Sequence, residues 1–366
     1  MDPRVEKLAQ VLVHYSLKLK KGQLLKIQGE YGTLPLMNAV FKEATAVGAH
    51  PYTKIVLPEQ DEMYLKSATE AQLKFISPIA NTEVNKIDAL VHIWGSDNTR
   101  SFSGVDPQRQ ARQRKYQKKI LEKYFKRMSD GSLNWVGTLF PTNAEAQEAD
   151  MSLADWEEFV YNAGHVARGD AVKHWKKIHK EQQRLVNILN KVDRLHFRSP
   201  DTDLKMRVKG RKWINCAGEQ NFPDGEVFTG PVEDTVEGVI RFTYPAVYMG
   251  REVEDVRLEL KKGKVVSESA TKNQEYLTSM LNMDKGARLV GEIAIGTNYD
   301  IKRFSKNILF DEKIGGTIHM AVGRSIPESG GKNISALHWD MICDMKKDAE
   351  IEADGKVIYR NGKFTI

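Results

Sequence analysis

The chain has 366 residues, more than one compact core accommodates, and so implies two domains. Its 41% hydrophobic and 28% charged content is that of a globular protein, and the absence of any run of ~18 apolar residues excludes a membrane-spanning helix. A net charge of +6 with pI near 9.0 raises nucleic-acid binding as a class to test, while Cys216 and Cys343 alone exclude a disulfide framework.

The opening Met1-Asp2-Pro3-Arg4-Val5-Glu6 lacks the basic-then-apolar form of a secretory leader, so a reducing cytoplasm is expected. Val5, Leu8, Val11, Leu12, Tyr15 and Leu19 are spaced for one face of a helix over Arg4 to Leu19, which Lys20-Lys21-Gly22 ends. Leu24 to Ile27 reads as a strand. Thr33 caps a helix that starts near Leu34-Pro35 and stops at Gly48, and Pro51 to Leu57 is a second strand. Strand, helix, strand at this spacing predicts a βαβ unit and a mainly parallel sheet.

Asp88 to Trp94 and Trp135 to Phe140 are further buried strands. Between them, Arg109, Arg112, Arg114, Lys115, Lys118, Lys119, Lys123, Lys126 and Arg127 are set against one acid, Glu122. Cations on most faces of one helix read as a solvated surface. No RNA-binding aromatic motif, zinc finger or Gly-x-x-Gly clamp accompanies them, so nucleic acid is not the expected partner. A border to a substrate chamber that attracts peptide carboxyl groups is the other reading of this helix. No Gly-x-Gly-x-x-Gly and no P-loop follows any strand, which disfavours nucleotide binding. Ser152 and Asp155 form a capping box, and a long helix is predicted from about Asp170 to Leu195. At Arg198-Ser199-Pro200-Asp201-Thr202 the pattern changes from helix to strand, which puts the domain boundary between residues 198 and 199.

The second half, 199–366, reads as β-rich. Val256, Leu258 and Leu260 alternate toward Lys262-Gly263, a hairpin, and Asp354-Gly355 and Asn361-Gly362 mark two more tight turns. One helix is expected between Thr271 and Leu281. Pro223-Asp224-Gly225 forms a turn that delivers Glu226 to the start of a Val-Phe-Thr strand. Gly291-Glu292-Ile293-Ala294, Phe310-Asp311-Glu312, Gly316 to Gly323 around His319, and Leu337-His338-Trp339-Asp340 follow as short runs bounded by glycines. Residues two apart in a strand share a face, so His338 and Asp340 project together, with Trp339 on the other side. An imidazole and a carboxylate from one strand make half of a metal site. Taken alone, each element has an ordinary structural reading: a hydrogen-bonded surface pair, a core histidine, a hairpin turn.

In order, the set Asn-x-Pro-x-Gly-Glu-Val-Phe-Thr, Gly-Glu-Ile-Ala, Phe-Asp-Glu, Gly-x-x-His-x-Ala-x-Gly and His-x-Asp resembles the M29 family of metallo-aminopeptidases. Val11 to Ser16 with the following Lys-Gly turn is similar to that family's opening, so the likeness covers nearly the whole chain. The resemblance implies that Glu226, Glu292, Glu312, His319, His338 and Asp340 converge as ligands of two divalent ions. Zinc or cobalt fit best, with manganese or magnesium as alternatives. It further implies hydrolysis of the first peptide bond of peptides with a free N-terminus, Glu292 as the bridging or proton-handling group, and a homodimer. The spacing from Glu312 to His319 is longer than in the family's aminopeptidase T form. Where the family has a tyrosine, seven residues after its first histidine, this chain has Ile326, which cannot donate a hydrogen bond to an oxyanion. A catalytically weakened metal-binding scaffold is therefore the alternative to a working peptidase. A nucleic-acid-associated protein and a two-metal phosphoesterase rank below both.

Overall fold

The computed structural model describes residues 2–366 and divides them into two compact units. The first extends to Val172 and takes back Gly218–Phe222; the second holds Lys173–Ala217 and Pro223–Ile366. The change from helix to strand near Arg198 thus lies inside the second unit, after the helix Ala171–Leu189.

The first unit is α/β. Its five strands are all parallel, in the order His50–Val56, Leu24–Glu30, Ala89–Trp94, Asn134–Leu139, Asn221–Phe222. The opening helix is α-helical only over Pro3–Gln10 and continues as a π-helical turn over Val11–Ser16, where the Leu17 amide reaches back to the Leu12 carbonyl at 3.0 Å. Three helices absent from the sequence reading, Pro58–Ser67, Glu70–Lys74 and Pro78–Lys86, pack against the basic helix Pro107–Ser129. That helix leaves Arg112, Lys115, Lys118, Lys119 and Lys126 exposed, which both readings of it require. Arg127 is different. Its guanidinium donates to the carbonyls of Val84 and Ile87, both at 2.8 Å, and so caps the C-terminal end of Pro78–Lys86.

The second unit is β-rich and antiparallel. The predicted helix to Leu195 is corrected: it stops at Leu189, and Arg194–Ser199 is already a strand of an eight-stranded sheet. Leu195 and Phe197 alternate inward there, a period of two that a helix cannot use. The hairpin at Lys262-Gly263 joins Arg257–Lys261 to Lys264–Ser269, and the helix near 271–281 spans Gln274–Leu281.

A second, five-stranded sheet of this unit runs in the order His338–Asp344, Thr317–Gly323, Val290–Gly296, Glu226–Thr229, Ile214–Cys216. Alternation divides its faces. Val227, Ile293, Ile295, Ile318, Met320, Val322, Trp339, Met341 and Cys343 belong to one continuous core. The residues between them, on the opposite face, are those with chemistry.

Candidate metal centre

Register explains how residues more than a hundred positions apart meet. Glu292 pairs with Ala321 and Ala321 with Asp340, so these three lie in one row across three strands. His319 pairs with Ala294, Gly323 with His338, and Gly296 with Glu226. Cross-strand partners share a face, so Glu226, Glu292, His319, His338 and Asp340 all project to the same side. Each has an alanine or glycine across one strand pairing, which leaves room on that side for the longer side chains to converge, while His319 also pairs with Ile342 and Glu226 with Cys216. Directly before the strand Glu226–Thr229, Gly225 has φ +126°, and a Cβ there would lie 2.6 Å from the Cβ of Asn298. Only glycine lets the chain turn into Glu226 at this point.

The side chains come together closely. His319 Nε2 lies 3.1 Å from Glu226 Oε2 and 3.6 Å from Glu292 Oε1. His338 Nε2 lies 3.6 Å from Glu292 Oε2 and 3.2 Å from Asp340 Oδ2. Three groups of ligand atoms each fit within 4.8 Å: Glu226, Glu292 and His319; Glu292, His338 and Asp340; and Glu312, His319 and Asp340. Glu292 belongs to the first two groups. Glu312, at the end of the short helix Ile308–Asp311, is brought to the same place despite its unusual spacing in sequence. All six residues singled out from the sequence are therefore gathered in one cluster.

Two residues of the cluster's surroundings have no counterpart in the sequence reading. Lys313 has a fully buried side chain whose ammonium lies 3.6 Å from Glu226 Oε1 and in direct contact with Glu312. A lysine beside a glutamate reads as solvated surface, so nothing local distinguishes it. Gln182, on the helix Ala171–Leu189, is 2% exposed and donates to the carbonyls of Cys216 and Glu226, both at 2.9 Å. Its own carbonyl accepts from the Thr297 hydroxyl at 2.9 Å. This clamp fixes the backbone from which Glu226 projects. A signal for it existed: Gln182 falls in register with Trp175, Ile178, Leu185 and Leu189 on the helix's apolar face.

Burial and charge set the protonation. Burial works to raise the Glu226 carboxyl, but Lys313 and His319 outweigh it and hold the group below the usual glutamate range. Burial raises Glu292, with Asp340 and Glu226 adding to the shift against the opposing contact from His319. Burial likewise pushes Glu312 up to about 7. Asp340 is drawn down to about 2, since His338 overcomes its desolvation. His338 Nδ1 lies 2.7 Å from the Arg324 carbonyl, a contact that keeps a proton on Nδ1 whether or not Nε2, which faces the carboxylates, is protonated.

The donor set fits a divalent metal. Four carboxylates and two imidazoles suit zinc, cobalt or manganese. Asp340 Oδ1 and His319 Nδ1 are buried without a hydrogen-bond partner, and Glu226 Oε2 has only the His319 Nε2 contact already described. An unsatisfied buried polar atom costs about 1–3 kcal/mol, and a bound cation would relieve the two oxygens. A different trio, Cys216, Asp224 and Glu226, also lies within 4.8 Å on the flank of the cluster.

Comparison with known proteins follows the same line. A family model described as thermophilic metalloprotease (M29) matches residues 1–364. Aminopeptidase 2 of Geobacillus stearothermophilus is 27% identical over 411 aligned positions, covering 100% of this chain and 98% of that protein. Aminopeptidase AmpS of Bacillus subtilis is 28% identical, with 100% of both chains covered. Among solved structures, wild-type AmpT from Thermus thermophilus shares the fold with a TM-score of 0.86 at 24% identity, covering 99% of each chain. A dioxygenase from Pseudomonas putida shares it more loosely, at a TM-score of 0.61 and 14% identity, so the fold by itself does not fix the chemistry.

Proposed function

Because the chain belongs to the M29 family of metalloproteases, we propose that it is an aminopeptidase that removes the N-terminal residue of peptides. In this reading a pair of divalent ions is held by Glu226, Glu292, Glu312, His319, His338 and Asp340, with residues 199–366 as the catalytic domain. The observation that carries it is the meeting of these six side chains, from separate segments, on the sheet face opposite the core. Zinc or cobalt bound there would act as a Lewis acid on the scissile carbonyl and make water a better nucleophile at neutral pH.

The protein's own groups supply the rest. Glu292, shared by two ligand groups, would either be held between the cations or accept the proton that water gives up on attack and return it to the departing amine. His338 is held in one tautomer by the Arg324 carbonyl, so its Nε2 stays oriented without reorganisation. The substrate's free α-amino group would be held by one of the cations or by an adjacent carboxylate, which would restrict cleavage to the first bond. The family resemblance adds a homodimer and a cytoplasmic setting to the reading.

Ile326 favours a second reading, a metal-binding scaffold with little activity. It stands directly before the short turn Pro327–Ser329 and offers that turn only its carbonyl, at 2.7 Å from the Ser329 hydroxyl. One experiment separates the two. Purified protein is assayed for bound metal and for hydrolysis of chromogenic aminoacyl amides, with N-acetylated amides as controls. Turnover of free-amine substrates only, lost on chelation, supports the peptidase. Bound metal without turnover supports the scaffold, and a chain that binds no metal rejects both.

A further inference from the structure

We propose that Lys313 is a built-in cation that competes with a metal ion for the Glu226–Glu312–His319 side of the centre. The two cation positions then fill in order, the Glu292–His338–Asp340 position first and the lysine side second and more weakly. The inference deepens the metallopeptidase reading and rests on it.

The two sides are not equivalent in charge. Among the described residues, the ion pairs of Glu292 and Asp340 are with His319 and His338. An imidazole can turn a lone pair toward a metal and become its ligand; an ammonium has only donors, and it repels an incoming cation. On the other side both Glu226 and Glu312 already face such an ammonium. Lys313 is not free to drift away from them. Its amide donates to the Phe310 carbonyl at 3.0 Å, and its own carbonyl accepts from the Asn298 amide at 3.0 Å, so the backbone is pinned on both sides. Its side chain is 0% exposed, and Glu312 is its immediate neighbour in the chain. A second metal must therefore share or displace a tethered ammonium that cannot become a ligand, whereas the first displaces only imidazole protons, which the rings give up on ligating.

The test reads metal content, not activity. Chelator-treated full-length protein is titrated with Zn2+, passed through a desalting column and analysed for zinc per chain by mass spectrometry. The wild type should retain one zinc and show a second binding step weaker by about 10–100-fold, the range over which groups that contact ligands tune affinity. Lys313→Met should retain two zinc ions, with the steps merged; Lys313→Gln should move the same way and serves if the methionine variant does not fold. Should neither fold, the wild-type isotherm decides. Two equally tight zinc ions in the wild type, or a folded variant that still retains one, would overturn the proposal while leaving the metallopeptidase reading intact. A wild type that retains no zinc would overturn both.

Discussion

Ile326 stands where the resemblance to the M29 family implies a tyrosine. A preorganised oxyanion donor is typically worth about 10²–10³ in turnover, and isoleucine has no group to supply it. Ile326→Tyr is therefore expected to raise turnover on an aminoacyl amide. An unchanged rate, with the metal content intact, would show that the position has no part in catalysis. His338 yields a prediction about pH. Burial works to lower its pKa, but Asp340 and Glu292 prevail and push it up to about 10. The unfolded value is about 6.5, so in metal-free protein the stabilisation is complete below that pH and is lost as pH rises toward 10. Urea unfolding of chelated protein between pH 6.5 and 10 should show a decline that His338→Gln flattens; an equally steep decline in the variant would count against it. With metal present the trend reverses over the lower part of that range, because binding displaces the imidazole proton.

At the level of elements, the centre depends on what is missing from its strands. Ala321 sits between Glu292 and Asp340 in the cross-strand row and is fully buried. Ala321→Leu would fill the space in which the carboxylates approach. The expected result is loss of most bound metal, with an overpacking cost of about 1–3 kcal/mol read from the denaturation midpoint. Retention of full metal content would show that the row has slack. The basic helix Pro107–Ser129 makes a different case, since its cations are not alike. Arg127→Ala removes the cap on Pro78–Lys86 and should cost about 1–3 kcal/mol, while Lys119→Ala, on the solvated face, should stay within about 0.5 kcal/mol. Equal effects in thermal melts would deny Arg127 its structural part.

For the molecule as a whole, all six candidate ligands lie in the second compact unit, within Pro223–Ile366. Ligand binding stabilises the state that binds, by an amount that grows with free ligand concentration. Chelation should therefore raise hydrogen exchange in the strands Val290–Gly296, Thr317–Gly323 and His338–Asp344, and leave the parallel sheet of the first unit unchanged. A uniform rise across both units would mean that the cations, or the chelator, act elsewhere.

Periodicity by itself determined much of this protein. The βαβ pattern of the first half, the shift to strands near Arg198, and the projection of His338 with Asp340 all follow from repeats of 3.6 or 2.0 residues, which are local properties of the chain. The ordered motifs added the family and the six residues to watch. Tertiary structure decided what no local rule reaches. Strand register set Ala321 between two carboxylates, and the turn at Ile308–Asp311 carried Glu312 inward. Lys313 was buried against two acids, and Arg127 and Gln182 were assigned to carbonyls far off in sequence. Each of these depends on which distant segment lies alongside, and therefore on pairing and desolvation, free-energy terms that exist only once the chain has folded.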